Sequence, residues 1–245
     1  MAMRCISIFP RNWFLSAKRA MGPGVDVASR DKSSLTQLFL GEGEGDPVRT
    51  LDVGCGNGYF SRCAARFGPV VAVTMLPDEF AKADELFKYL GLEVDVRLGK
   101  LEDLDEQDES FDQVLLLDVL EHIRDDRSAL QHLHRLLRCD GFLFVSFPNR
   151  DSNFGSAKHV WRYETGWHVR HGYTFAAIER LLEECGFEPV DRRAYGTYGS
   201  KLSVRVQRRL GFRRSTPLLP LMRLLTYCLP LACHHTYLVV ARKRT

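Results

Sequence analysis

The sequence predicts a doubly wound α/β domain with a seven-stranded sheet and a basic, amphipathic helical insertion before the last strand. Three observations carry that prediction. Short apolar runs alternate with helix-period patterns from about residue 33 onward. Several of the runs are apolar almost throughout, as in parallel strands covered on both faces. A turn with glycines at alternate positions joins the first strand to the first helix. A length of 245 residues suits one such domain with decorations, or at most two small ones.

The predicted strands, in order, are 48–53, 70–74, 93–98, 113–117, 142–147, 188–194 and 236–241. Between them, Pro77 stands at a first helical position with Asp78 and Glu79 in the first turn. Phe80, Ala83, Phe87 and Leu90 follow on one face, and Gly91 stops the helix. A second helix is predicted from Asp126 to Leu137, with Leu130, Leu133 and Leu137 inward. A third runs from Phe175 to Cys185, with Thr174 as its N-cap and Gly186 as its stop. Residues 1–32 form a cationic, aromatic arm, and residues 33–245 form the domain. Within it, insertion 197–234 repeats Leu218, Leu221, Met222, Leu225 and Leu229 at helical spacing behind an arginine-rich stretch.

The composition is 45% hydrophobic and 27% charged with a mean hydropathy of −0.19, which excludes a disordered chain, a collagen-like repeat and a multi-pass membrane protein. Seven scattered cysteines without a CxxC pair read as reduced thiols of a cytosolic protein. The apolar stretch from Leu218 to Ala232 is too short for a bilayer span and contains Pro220, Arg223 and Pro230. Charge is divided along the chain. All 31 acids and 22 of the 34 bases fall in the first 191 residues, a balance of −9, while the last 54 residues hold the other twelve bases. That division points to an anionic partner for the C-terminal part: a lipid surface, a phosphorylated substrate or nucleic acid.

The strongest local signal is Leu51-Asp52-Val53-Gly54-Cys55-Gly56-Asn57-Gly58-Tyr59-Phe60. Glycines permit positive φ and let a ligand approach the main chain closely. The spacing is G-x-G-x-G, distinct from the G-x-G-x-x-G of dinucleotide-binding turns. It is followed, in order, by Phe111-Asp112-Gln113-Val114 leading to Asp118-Val119-Leu120-Glu121-His122, by Leu136 to Gly141, and by Val145-Ser146-Phe147-Pro148-Asn149. Together these motifs resemble the class I S-adenosylmethionine-dependent methyltransferases, most nearly the ubiquinone-biosynthesis-like small-molecule type. The resemblance covers residues 33–195 and the final strand, and it implies a Rossmann-like sheet.

By that resemblance the glycine loop (Gly54, Cys55, Gly56, Gly58) holds the methionine part of S-adenosylmethionine. Asp52 helps bind its amino group, and Asp118 lies along the cofactor. Two positions depart from the pattern. The acid that meets the ribose hydroxyls at the end of the second strand is replaced by Thr74, and the acid near the adenine amino group by Lys100. A threonine offers one neutral hydrogen bond and a lysine accepts none. Each lost charged hydrogen bond weakens the cofactor about 10- to 100-fold. Glu102 or Asp78 is the expected substitute, with Met75 covering one adenine face and the Leu101 amide serving a ring nitrogen.

Methyl transfer asks mainly that the acceptor be aligned and water excluded. A hydroxyl acceptor also needs a base, for which histidine suits best. His122, His168 and His171 are the candidates, the last two in an aromatic segment (Trp161, Tyr163, Trp167, Tyr173) that walls the acceptor pocket in this family. Arg170 is expected to hold an acceptor carboxylate or phosphate. Cys228, Cys233, His234 and His235 match no zinc spacing, and no metal is expected. The resulting expectation is methyl transfer to a small or lipid-like acceptor, at oxygen. The basic insertion would then serve as a lid, a homodimer face or a membrane-surface helix. The rivals are a catalytically degenerate scaffold, suggested by Thr74 and Lys100, and an RNA methyltransferase, suggested by the basic tail. Against the latter, Phe147-Pro148-Asn149 stands where base N-methylation would require an Asn-Pro-Pro-Tyr-type loop.

Overall fold

A computed structural model describes residues 46–151, 169–197 and 232–244, with single positions at 202, 206, 209, 218, 221 and 224. The N-terminal arm, most of the 197–234 insertion, the segment containing His159 to His168, and the side chains of Cys228, Cys233, His234 and His235 lie outside the described residues. The chain divides into two compact units, one of Leu35–Gly196 with Cys233–Thr245 and the other of Met1–Ser34 with Thr197–Ala232. The first unit carries the sheet.

Seven strands form it: β1 (Thr50–Val53), β2 (Val70–Thr74), β3 (Val94–Leu98), β4 (Phe111–Leu117), β5 (Leu137–Pro148), β6 (Phe187–Thr197) and β7 (Ala232–Lys243). Their order is β3-β2-β1-β4-β5-β7-β6. Pairs β1–β2, β2–β3, β1–β4 and β4–β5 are parallel, and β7 runs antiparallel to β5. After β3 the chain crosses back to the far side of β1, so β1 and β4 lie side by side at the switch point of the sheet. Ligands of doubly wound sheets bind beyond the carboxyl ends of such strands.

The near-continuous apolar runs are explained by burial on both faces. Along β4, Val114 and Leu116 face one core while Leu115 faces the other; along β5, Val145 and Phe144 divide the same way. The first core is closed by α3 (Asp126–Leu136) and α4 (Phe175–Glu184) through Leu130, Leu133, Ile178 and Leu182. The second is closed by α1 (Tyr59–Ala64) through Tyr59 and Cys63. Beside it, α2 (Pro77–Leu90) packs Ala83 and Phe87 on Ala72. The terminal signals act where the sequence put them. Pro77 opens α2, and Gly91, at φ 65°, closes it. The Thr174 hydroxyl accepts from the Ala177 amide at 3.2 Å at the start of α4.

Strand lengths differ from expectation. β1 starts at Thr50, two residues later than expected, although the Val48 amide already donates to Phe67 O. The fifth strand starts at Leu137, directly out of α3, because its register against β4 shifts between Phe111 and Gln113. Asp140 takes the left-handed conformation (φ 61°) within that irregular stretch.

Candidate active site at the carboxyl ends of β1, β2 and β4

Gly54, Gly56 and Gly58 all have positive φ (71°, 53° and 76°), which turns the chain sharply out of β1 and into α1. Their surroundings differ. A Cβ on Gly54 would lie 2.4 Å from Val119 Cγ2, and one on Gly58 would lie 2.6 Å from Phe87 Cζ. A Cβ on Gly56 would meet nothing nearer than Gly54 O at 4.0 Å. The outer glycines are therefore demanded by packing, whereas the middle one faces open space beside bare main chain. The turn is tied to β2 by the Gly54 and Cys55 amides, which both donate to Val73 O at 2.8 and 3.0 Å.

Beneath the turn, the Asp52 carboxylate is 2% exposed and accepts the Ser61 hydroxyl at 2.5 Å. Burial pushes its pKa up to about 6, against the opposing pull of the Ser61 hydrogen bonds. Cys55 is pushed far above the usual thiol range, by burial first and then by the charges of Asp52 and Glu79, so it is a neutral lining group and not a nucleophile.

At the tip of β2, Thr74 is buried, and its hydroxyl donates to Glu79 Oε2 at 2.9 Å while accepting from the Leu76 amide at 3.3 Å. Glu79 was not anticipated as a site residue. The available signal was a glutamate in the third position of the helix that follows a strand-end threonine. Gly99 N donates to Thr74 O at 2.9 Å, which draws the end of β3 alongside. Lys100 is exposed there and precedes a 3-10 turn, Leu101–Asp103, with Leu101 buried and Glu102 exposed. Met75 and Leu98, 54% and 51% exposed, present apolar surface at these neighbouring strand ends.

At the end of β4, Asp118 takes a left-handed backbone (φ 58°), and its carboxylate accepts the Ser146 hydroxyl at 2.8 Å from β5. His122, half-buried, ends a 3-10 turn over Leu120–His122. The Val169 amide donates to Glu121 O at 3.0 Å, so the segment bearing exposed His171 returns beside the one bearing His122. His168 lies outside the described residues.

Arg170 overturns its expectation. Its Nη1 donates to Asp126 Oδ2 at 2.7 Å, to the Tyr173 hydroxyl at 2.5 Å and to Leu120 O at 3.3 Å, and its Nη2 donates to Arg124 O at 2.8 Å. The Tyr173 hydroxyl donates to the same Asp126 oxygen at 2.7 Å. With its fork spent on these partners, the guanidinium braces the returning segment and is not available to grip an acceptor anion.

Residues 51–145 match the methyltransferase-domain family. The sheet has the class I methyltransferase fold. Among curated relatives, the ubiquinone biosynthesis O-methyltransferase of Ruegeria pomeroyi is 33% identical over 156 residues, 60% of this chain and 63% of that one. The protein of the same name from Xanthomonas euvesicatoria pv. vesicatoria is 40% identical over 105 residues, 42% of this chain and 44% of that one. The chain thus matches less than two thirds of the length of these relatives. Among solved structures, the 1,6-didemethyltoxoflavin-N1-methyltransferase of Burkholderia thailandensis, with 1,6-didemethyltoxoflavin and S-adenosylhomocysteine bound, superposes with a TM-score of 0.61. It is 21% identical, and the match covers 96% of this chain and 87% of that one. The [4+2]-cyclase SpnF superposes with a TM-score of 0.62 at 20% identity, covering 95% and 93%. A likeness at that identity is one of fold, and a shared fold leaves the chemistry to the residues of the site.

Proposed function

We propose that the chain is an S-adenosylmethionine-dependent methyltransferase acting at oxygen on a small or lipid-like acceptor. The observation that carries this reading is the pairing of a buried carboxylate, Asp52, with an open, side-chain-free turn at Gly56, both at the sheet's switch point. Such a site suits a ligand with a cationic amine that lies against main chain. Asp52 would hold the ammonium group, Gly54 to Gly58 the methionine backbone, and Met75 with the Leu101 amide the adenine, with Glu102 and Asp118 flanking them. The bound cofactor supplies a methyl group already activated by a sulfonium. The chain's own residues have only to align the acceptor and take up its proton. His122 and His171, on adjoining segments, are suited to that proton, as is His168.

Calorimetric titration with S-adenosylmethionine and S-adenosylhomocysteine tests this reading. Micromolar binding is expected, followed by methyl incorporation into a phenolic or quinol acceptor. Absence of binding up to millimolar ligand would overturn it in favour of a non-catalytic scaffold.

Peripheral contact with an anionic membrane is supported by Leu202, Leu218, Leu221 and Leu224, which are all exposed, and by exposed Arg209 among them. Among the described residues no helix is long and apolar enough to cross a membrane. Sedimentation with anionic vesicles, reversed by salt, is the expected result. Salt-insensitive self-association without vesicle binding would assign this surface to a homodimer instead, and steeply salt-dependent binding to RNA would assign it to nucleic acid.

A further inference from the structure

The tip of β2 lacks an acid, yet a carboxylate is delivered to it. A glutamate in the third position of a helix ordinarily reaches back to the amide of the N-cap residue. In α2 that position is Glu79 and the N-cap is Leu76, but the Leu76 amide is taken by Thr74 Oγ1 at 3.3 Å. Glu79 is thereby released from capping, and the Thr74 hydroxyl, its lone pair occupied by that amide, directs its proton at Glu79 Oε2 at 2.9 Å. Among the described residues Thr74 is the sole hydrogen-bond partner of this carboxylate. The location is set by the backbone: the Gly54 and Cys55 amides bind Val73 O, the residue before Thr74. The carboxylate therefore stands at the tip of β2, against the residue that follows the one bonded to the glycine turn. Its charge also reaches Cys55 within the turn.

A carboxylate in such a place, anchored through one oxygen, is a double acceptor for neighbouring hydroxyl groups and repels phosphate. We propose that Glu79, positioned by Thr74, binds the vicinal hydroxyls of the cofactor's ribose, taking the part that a strand-end acid would otherwise play. This deepens the proposed function and rests on it. Thr74 is then a positioning residue. The missing acid is relocated by five residues rather than lost, and the scaffold reading loses one of its two supports.

The test is calorimetric titration of the full chain with S-adenosylhomocysteine and with its 2′-deoxy analogue, for the parent protein, Glu79→Gln, Thr74→Ser and Thr74→Val. Thermal melts report whether each variant is folded. Glu79→Gln is expected to weaken S-adenosylhomocysteine about 10- to 100-fold. For the 2′-deoxy analogue, which keeps one of the two hydroxyls and is already weaker on the parent protein, the same change should cost only about 3- to 10-fold. Thr74→Val should reproduce part of the loss, and Thr74→Ser, which keeps the hydroxyl, should restore it. Equal affinity of Glu79→Gln and parent for S-adenosylhomocysteine overturns the assignment while leaving the cofactor reading intact. So does an equal loss on both ligands. A parent protein that binds neither ligand refutes the cofactor reading itself, and the assignment with it.

Discussion

The turn after β1 and the tip of β2 are hydrogen-bonded neighbours, yet they assemble their chemistry in opposite ways. At β1 every participant lies in one run from Asp52 to Ser61, and each residue type is demanded by something local: positive φ, close packing or a buried carboxylate. At β2 the strand end contributes a hydroxyl, and the charge arrives from the next helix through a side-chain bond. The first arrangement is rigid and intolerant of substitution. The second depends on one side-chain hydrogen bond, which Thr74→Ser should keep and Thr74→Val should lose. On the proposed assignment, a binding group leaves its usual position because a neighbour holds the replacement in place.

The largest expected effect comes from breaking the rigid side. Gly58→Ala must displace Phe87 from a buried site and hold alanine at φ 76°, so a loss of about 3 kcal/mol or more is expected in chemical denaturation. Gly54→Ala, against Val119, should behave alike.

Next comes Asp52→Asn. A carboxyl group raised from 3.8 to about 6 is held ionised at neutral pH against a cost of up to about 3 kcal/mol, so the amide should stabilise the unliganded protein by as much. It should also weaken S-adenosylhomocysteine about 100-fold or more, since the amide carries no charge for the ammonium. A stabilised variant that still binds would remove Asp52 from the site.

The pH dependence separates the same two roles. Between pH 3.8 and about 6 the native state keeps a proton on Asp52 that the unfolded chain releases, so this group's contribution to stability falls as pH rises through that window. Ligand affinity should move the other way, rising about tenfold per unit up to pH 6 and levelling above it. His132 and His134, whose pKa values burial lowers, act on stability with opposite sign. Their contribution is full above about pH 6.5 and is lost as pH falls below it. Melts of parent and Asp52→Asn across pH 4–8 resolve the two slopes.

The smallest change in stability should come from Gly56→Ala. Nothing obstructs a methyl there, so only the left-handed backbone is penalised, by about 1 kcal/mol. Its affinity for S-adenosylhomocysteine should nonetheless fall steeply, because the methyl enters the space assigned to the ligand.

Most of the fold was legible because its determinants are short-ranged. The strand runs, Pro77 and Gly91 around α2, and the Thr174 cap all act within a few residues of themselves. The glycine turn was legible through its spacing and positive φ, although the packing that demands Gly54 and Gly58 comes from distant Val119 and Phe87. What escaped was set by contacts without a sequence spacing. Glu79 looked like an ordinary first-turn acid until the Thr74 hydroxyl was found against it. Arg170 looked like a free cation in a pocket wall, and its partners Asp126 and Leu120 lie 44 and 50 residues away. The extra length of β5 depended on a register shift with β4 that neither strand announces alone.

The chain's return after β5 has a consequence for how such a protein can change. Asn149 bridges to Tyr173, the Arg150 amide donates to Tyr173 O, and Gly172, at φ 89°, sits where a Cβ would lie 2.0 Å from Pro148 O. Arg170 then rivets the returning segment to Arg124 and to Asp126 at the start of α3. Departure and arrival are stapled together at the rim of the sheet, so whatever chain is spliced between them inherits the same two anchor points. Under the proposed function, exchanging that stretch between relatives is expected to change acceptor preference in methyl-transfer assays while leaving the melting temperature of the scaffold nearly unchanged.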